Sequence, residues 1–250
     1  MPVADASSGW LEAAGAFGVL SVVAFAVTWI VTDLARVPRT PYVAVLTVTT
    51  LVLGVGYVAW SGTEVADLLT DEWGWGIVGG IAAAAVVVPL VRRLPSRPHP
   101  EGPRLVGRLL WEGVVYGMAE GLLLATLPVI AVWQGAEALG WTDLEVGAIA
   151  SGALAIVGAL IVIAVHHLGY REFRRSRKML AGALAACGIQ ALAFLLTGNV
   201  LAPVLAHIVL HGQLTLRGDE MPPSKASQEP GRAGRITTVE GLPRPKELVA

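Results

Sequence analysis

Residues 145–169 read EVGAIASGALAIVGALIVIAVHHLG, an apolar run that ends in two histidines. The run is long enough to cross a hydrocarbon core of about 30 Å as a single helix. A second apolar run, residues 199–216, contains His207 and His211. Four of the five histidines in the chain lie in these two runs. An ionisable side chain inside a membrane span is costly to place there, so these histidines are candidate functional residues.

The composition excludes an ordinary soluble domain. The chain has 250 residues, of which 54% are hydrophobic and 15% charged, whereas soluble domains carry about 25% charged residues. Continuous apolar runs are typical of membrane helices, and barrel strands would alternate in short segments instead. The sequence therefore predicts an all-α polytopic membrane protein. The seven predicted transmembrane helices lie at residues 14–34, 42–60, 75–94, 105–133, 145–169, 179–196 and 199–216.

The cationic residues predict the orientation of these helices. Arginine and lysine occur in the connections after the first, third and fifth runs, while the alternate connections carry only acidic charges. Cationic connections stay in the cytoplasm, so we expect the N-terminus outside and the C-terminus inside, as an odd number of spans requires. Arginine outnumbers lysine and alanine is abundant, so the expected location is a prokaryotic plasma membrane.

Three regions follow from these patterns. Residues 1–104 are predicted to form an N-terminal three-helix membrane region, and residues 105–217 a four-helix core. Residues 218–250 are rich in proline, glycine, serine and charge, which predicts a disordered cytoplasmic tail. No basic run is dense enough to indicate nucleic-acid binding. The single cysteine, Cys187, excludes an internal disulfide and any structural zinc site built on two cysteines.

Six ionisable residues have overlapping predicted depths in the inner half of the membrane, because a helix rises about 1.5 Å per residue. Zinc binds histidine nitrogen and carboxylate oxygen, and a nearby carboxylate can act as general base toward a metal-bound water. The pattern therefore predicts a zinc site. Its candidate catalytic residues are Glu112 and Glu120, and its candidate metal ligands are His166, His167, His207 and His211.

Some alternatives stay open from the residues alone. Neighbouring helical residues point about 100° apart, so one of His166 and His167 faces away from any site, and His167 is the preferred inward residue. Glu112 lies near the membrane boundary and four residues after Arg108, which is an alternative partner for it. Glu120 is deep and far from any arginine. Each histidine has the further alternative of a packing role.

The segment TGNVLAPVLAHIVLH, residues 197–211, resembles the final motif of the CPBP (CAAX protease and bacteriocin-processing) family of intramembrane metalloproteases. That motif has Gly-Asn, an apolar stretch with proline, then His-x-x-x-Asn. His207 matches the motif histidine, and His211 stands where the family has asparagine. The family's preceding Phe-x-x-x-His motif corresponds to Ile163-x-x-x-His167, or to Val162-x-x-x-His166 in a register shifted by one.

The family's first motif, Glu-Glu-x-x-x-Arg, is matched only in part. Glu112 corresponds to the first glutamate, with Gly113 and Gly117 at the positions of the second glutamate and the arginine. In an alternative register Glu120 takes the first position and Gly121 the second. The resemblance covers about residues 105–215. In that family the first glutamate is thought to activate a metal-bound water, with the histidines as ligands.

The resemblance implies a divergent intramembrane metalloprotease that hydrolyses peptide bonds near the cytoplasmic face. Its partners would be membrane lipid and a membrane protein or peptide substrate. The alternative is a catalytically inactive family member that acts as a membrane scaffold or binds partners. A redox protein with a di-iron or bis-histidine haem centre is a further alternative, although desaturases have histidine boxes that this chain lacks. A transporter would be expected to show internal repeats or paired broken helices.

Overall fold

A computed structural model of the chain describes residues 6–218, which form helices joined by short connections and contain no strand. Apart from Gly218, the predicted tail lies outside the described residues. The helices are α1 (Ala6–Thr28), α2 (Arg39–Ser61), α3 (Val65–Thr70), α4 (Trp73–Arg92), α5 (Pro103–Ala138), α6 (Glu145–Leu168), α7 (Arg171–Arg175), α8 (Arg177–Thr197) and α9 (Leu201–Leu216). The prediction that the chain is an all-α polytopic protein is therefore confirmed.

Six of these helices are long and apolar enough to cross a membrane: α1 with its extension to Leu34, α2, α4, α5, α6 and α8. Each overlaps one of the predicted spans. The seventh predicted span corresponds to α9, which is apolar but has only 16 residues.

Helix α5 is the most deeply buried of the six and is not a uniform α-helix. Two π-helical segments, Leu109–Val115 and Gly121–Thr126, flank a short α-helical segment, Tyr116–Glu120. A third π-helical segment, Trp29–Leu34, continues α1. π-helical turns are rare and occur frequently at functional sites. The irregular part of α5 therefore contains both candidate glutamates, Glu112 and Glu120.

A tight turn joins α8 to α9, in the two residues that separate the predicted spans 179–196 and 199–216. Gly198 adopts φ +64° and ends α8, a conformation that glycine reaches without strain. The side chain of Asn199 then begins α9, because its Oδ1 accepts a hydrogen bond from the Leu201 amide at 2.9 Å. Its Nδ2 donates to the carbonyls of Leu69 and Asp71 at 3.2 and 2.7 Å. Asn199 thus links the start of α9 to the segment that precedes α4.

Helix α9 lies along the full length of α4, its principal neighbour. At one end the Val200 amide donates to the Leu68 carbonyl at 3.1 Å, and at the other the Arg97 amide donates to the Arg217 carbonyl at 2.8 Å. Helix α1 packs against α6 and the last part of α5. The three N-terminal spans therefore pack directly along the C-terminal helices that carry the candidate residues.

Candidate functional site

A stripe of glycines brings α5 against α9. A Cβ atom built on Gly117 would lie 2.7 Å from the Cα atom of Ile208, and one on Gly121 would lie 3.1 Å from the Cα atom of Val204. Small residues at such positions let two membrane helices approach backbone to backbone. The close approach leaves no room at residue 117 for the arginine of the family motif, and it places the neighbouring Glu120 next to the histidines of α9.

Glu120 lies at the centre of the polar cluster. Its Oε1 atom is 3.1 Å from Nε2 of His166 on α6, and its Oε2 atom is 2.7 Å from Nε2 of His211 on α9. The three side chains are almost completely enclosed, with exposures of 3% for Glu120, 0% for His166 and 5% for His211. A buried carboxylate is stable only when it is paired and hydrogen-bonded, and two imidazoles from different helices meet that requirement.

His207 extends the cluster by one helical turn. Its ring is nearly parallel to that of His211, with the centroids 6.0 Å apart. On the other side, the Sγ atom of Cys187 lies 3.7 Å from Nε2 of His207. Glu120, His207 and His211 each offer one ligand atom, and these atoms all lie within 4.8 Å of one another. The Nδ1 atom of His211 is buried and without a hydrogen-bond partner.

This donor set fits a zinc ion. Two imidazole nitrogens and one carboxylate oxygen are a set that catalytic zinc sites use. The unpaired Nδ1 atom of His211 also fits, since a buried polar atom without a partner carries a free-energy cost that a bound ion would remove. His207 and His211 would hold the ion, and the Glu120 carboxylate beside them is close enough to serve as a third ligand or as a base toward a bound water.

The two adjacent histidines have different surroundings. His166 contacts Glu120, whereas His167 donates from Nδ1 to the carbonyl of Ile163 on its own helix at 2.8 Å. The ring of His167 packs edge-on against Phe173, with centroids 4.7 Å apart. The structure therefore turns His166 toward the carboxylate, although His167 is the residue that the sequence favours.

Glu112 belongs to a separate ion-pair cluster nearer the start of α5. Arg108 donates to its two oxygens from Nε and Nη2 at 3.1 and 2.8 Å, and Nε of Arg39 lies 3.3 Å away. The arginine partner named as an alternative from the sequence is therefore observed. The guanidinium of Arg39 also stacks over the ring of Tyr116, 4.8 Å from its centroid. Tyr116 thus stands between the two glutamates.

No protein-family model, curated protein or solved structure matches this chain.

Four buried hydroxyl groups form a hydrogen-bonded chain that begins at His166. The sequence alone did not assign them to the site. The Thr28 hydroxyl lies 3.0 Å from Nδ1 of His166 and 3.3 Å from the Tyr42 hydroxyl. The Tyr170 hydroxyl lies 2.7 Å from that of Tyr42 and 2.9 Å from that of Tyr116. We call Thr28, Tyr42, Tyr170 and Tyr116 the hydroxyl chain.

One signal in the sequence points to the hydroxyl chain. The protein has four tyrosines, and three of them, Tyr42, Tyr116 and Tyr170, lie within or directly beside the halves of predicted spans that adjoin the cationic connections. Tyr170 follows α6 and is buried, and burial raises its pKa well above the ordinary value. Its hydroxyl therefore keeps its proton and remains a hydrogen-bond donor.

Proposed function

We propose that this chain is a divergent intramembrane metalloprotease that hydrolyses peptide bonds of membrane proteins near the cytoplasmic face. The observation that carries the proposal is the contact of the Glu120 carboxylate with His166 and His211, beside His207. A buried carboxylate and imidazoles on three helices, in the chain order glutamate, histidine, histidine, are the arrangement that the resemblance to the CPBP family implies. We propose membership of that family on the same basis.

In this proposal Glu120 is the proton acceptor, and His207 and His211 hold zinc beside it. Bound zinc would supply Lewis-acid polarisation and activation of water. Glu120 would take up a proton through the oxygen nearest the reacting water, while His166 and His211 orient its carboxylate. Of the two candidate glutamates, Glu120 is the proposed base because Glu112 is occupied by Arg39 and Arg108.

We also propose that α9 is the seventh span, with the N-terminus outside and the C-terminus in the cytoplasm of a plasma-membrane protein. Helix α9 is about 24 Å long and contacts the chain on both sides of α4, which supports a complete crossing. Arg174, in the cationic connection after α6, donates to Asp33 at the end of the first span, which supports placing the connections after the first and fifth spans on the same side. The lipid bilayer is then the first partner of the chain.

A specific observation favours the catalytically inactive alternative. In the register that begins at Glu112, Gly117 stands where the family has arginine and its backbone presses against Ile208, and in the register that begins at Glu120 no arginine follows within α5. Glu120, His166 and His211 are also enclosed, so a peptide would reach them only after helices separate. A scaffold that binds membrane proteins would need neither an open site nor the missing arginine. This alternative predicts that substituting Glu120 leaves cellular function unchanged.

The experiment that tests the proposal compares cells producing the natural chain, Glu120→Gln or His207→Ala. New protein N-termini in their membranes are identified by terminal labelling and mass spectrometry. Proteolysis predicts a set of N-termini that are present only with the natural chain and are lost in both variants. Identical N-termini in all three samples, at matched protein amounts, would contradict proteolysis and favour the scaffold.

A further inference from the structure

Both ring nitrogens of His166 are engaged, which distinguishes it from the histidines of α9. Nε2 faces Oε1 of Glu120 at 3.1 Å, and Nδ1 faces the hydroxyl of Thr28 at 3.0 Å. His211, in contrast, keeps a buried Nδ1 atom without a partner. The Tyr170 hydroxyl also lies 3.4 Å from Nε2 of His166. His166 therefore has no nitrogen left over for a metal ion unless a hydrogen bond is broken.

The hydrogen bonds around His166 have a direction. An ionised carboxylate can only accept, so the proton between His166 and Glu120 belongs to Nε2. A neutral imidazole carries a single proton, which leaves Nδ1 as an acceptor for the hydroxyl of Thr28. Because the Thr28 proton is then used, its oxygen accepts from the hydroxyl of Tyr42.

The rest of the hydroxyl chain follows the same direction. Tyr42 donates to Thr28, Tyr170 donates to Tyr42 at 2.7 Å, and Tyr116 donates to Tyr170 at 2.9 Å. Each of the four hydroxyls then donates one proton, and three of them also accept one. The side chains involved are all buried, so water is excluded as a competing partner. With Glu120 ionised, the opposite direction would require a second proton on His166.

We infer that Thr28, held by the hydroxyl chain, keeps His166 protonated on Nε2, so that His166 orients Glu120 as a hydrogen-bond donor and is not a metal ligand. Thr28 is thus a positioning residue supplied by α1, and the N-terminal helices are part of the site. The inference concerns the resting protein and is independent of the proposed protease activity.

Nitrogen NMR on the full chain tests this inference. Protein labelled with nitrogen-15 in histidine is placed in lipid nanodiscs without metal, and the His166 signals are assigned by their loss in His166→Gln. The expected spectrum has a protonated Nε2 and an unprotonated Nδ1. Thr28→Val, which keeps the side-chain shape but lacks the hydroxyl, should lower the ratio of this tautomer to the other by about fivefold. Thr28→Ser should restore the ratio.

Two results would overturn the inference. One is a proton on Nδ1 of His166 in the natural chain, and the other is an unchanged tautomer ratio in Thr28→Val. The spectrum of the natural chain decides the protonation even if the valine variant fails to fold, and Thr28→Ala provides a smaller substitution. Zinc is then added to the labelled protein. The His166 signals should keep their protonation pattern, and a change to a metal-bound nitrogen would show that His166 is a ligand.

Discussion

The Nε2 atom of His211 lies 2.7 Å from Oε2 of Glu120, and this contact joins α5 to α9 inside the helical bundle. It exists because Gly117 and Gly121 let the two backbones approach without intervening side chains. A hydrogen bond to a charged group is stronger than a neutral one, and it strengthens further where water is excluded. The close packing of two apolar helices therefore creates the polar site.

Zinc binding should depend on the histidines of α9. We expect about one zinc ion per chain in protein purified in mild detergent. The double variant His207→Ala/His211→Ala should lose it, because both histidine ligands are removed. His99→Ala is the matched control, since His99 lies in the loop between α4 and α5. Mass spectrometry of the metal content measures the result. Equal zinc in all samples, or none in any, would contradict a zinc site at these residues.

Glu112 should matter more for stability than for chemistry. Glu112→Gln removes the carboxylate that pairs with Arg39, whose exposure is 7%, and leaves a buried cation without its counter-charge. We expect a loss of about 2 kcal/mol in the free energy of unfolding, below the value for a fully buried pair because Arg108 can reach water. Chemical denaturation in detergent measures this change in the free energy of unfolding. Glu101→Gln, at an exposed position, should cause no loss, and an equal effect of both variants would refute this role.

Gly117 should not tolerate a side chain. Gly117→Ala places a methyl group 2.7 Å from the Cα atom of Ile208, so the helices must separate, at a cost of about 1–3 kcal/mol. Gly182→Ala is the control, because the space around Gly182 on α8 is open and alanine favours a helix over glycine. Thermal unfolding in detergent should show a lower midpoint for Gly117→Ala only. Matching midpoints would mean that the contact between α5 and α9 is looser than described.

The proposed orientation predicts which connections are accessible from outside the cell. We expect a membrane-impermeant maleimide to label Glu64→Cys on intact cells, because this residue precedes α3 on the outer side. Ser96→Cys, after α4, should be labelled only once the membrane is opened. The native Cys187 is buried and gives a low background. The reverse pattern of labelling would invert the proposed topology.

The individual apolar segments were predictable because the length and apolarity of a helix are properties of a continuous stretch of chain. The predicted spans and the observed helices agree to within a few residues at most ends, as for residues 145–169 against Glu145–Leu168. The turn after Thr197 was predictable for the same reason, since Gly198 permits a local positive φ. The predicted depth of each residue along its helix also placed Glu120 at the same level of the membrane as His207 and His211.

Which side chains face each other is not a local property, and only the tertiary structure decided it. The rotation of α6 turns His166 rather than His167 toward Glu120, and that rotation is set by the packing of the whole helix against its neighbours. The hydroxyl chain combines residues separated by up to 142 positions, from Thr28 to Tyr170. The sequence by itself determined the position, length and chemistry of the apolar segments, because these depend on consecutive residues. The contacts of the site depend on helix rotation and neighbour choice, which follow from long-range packing.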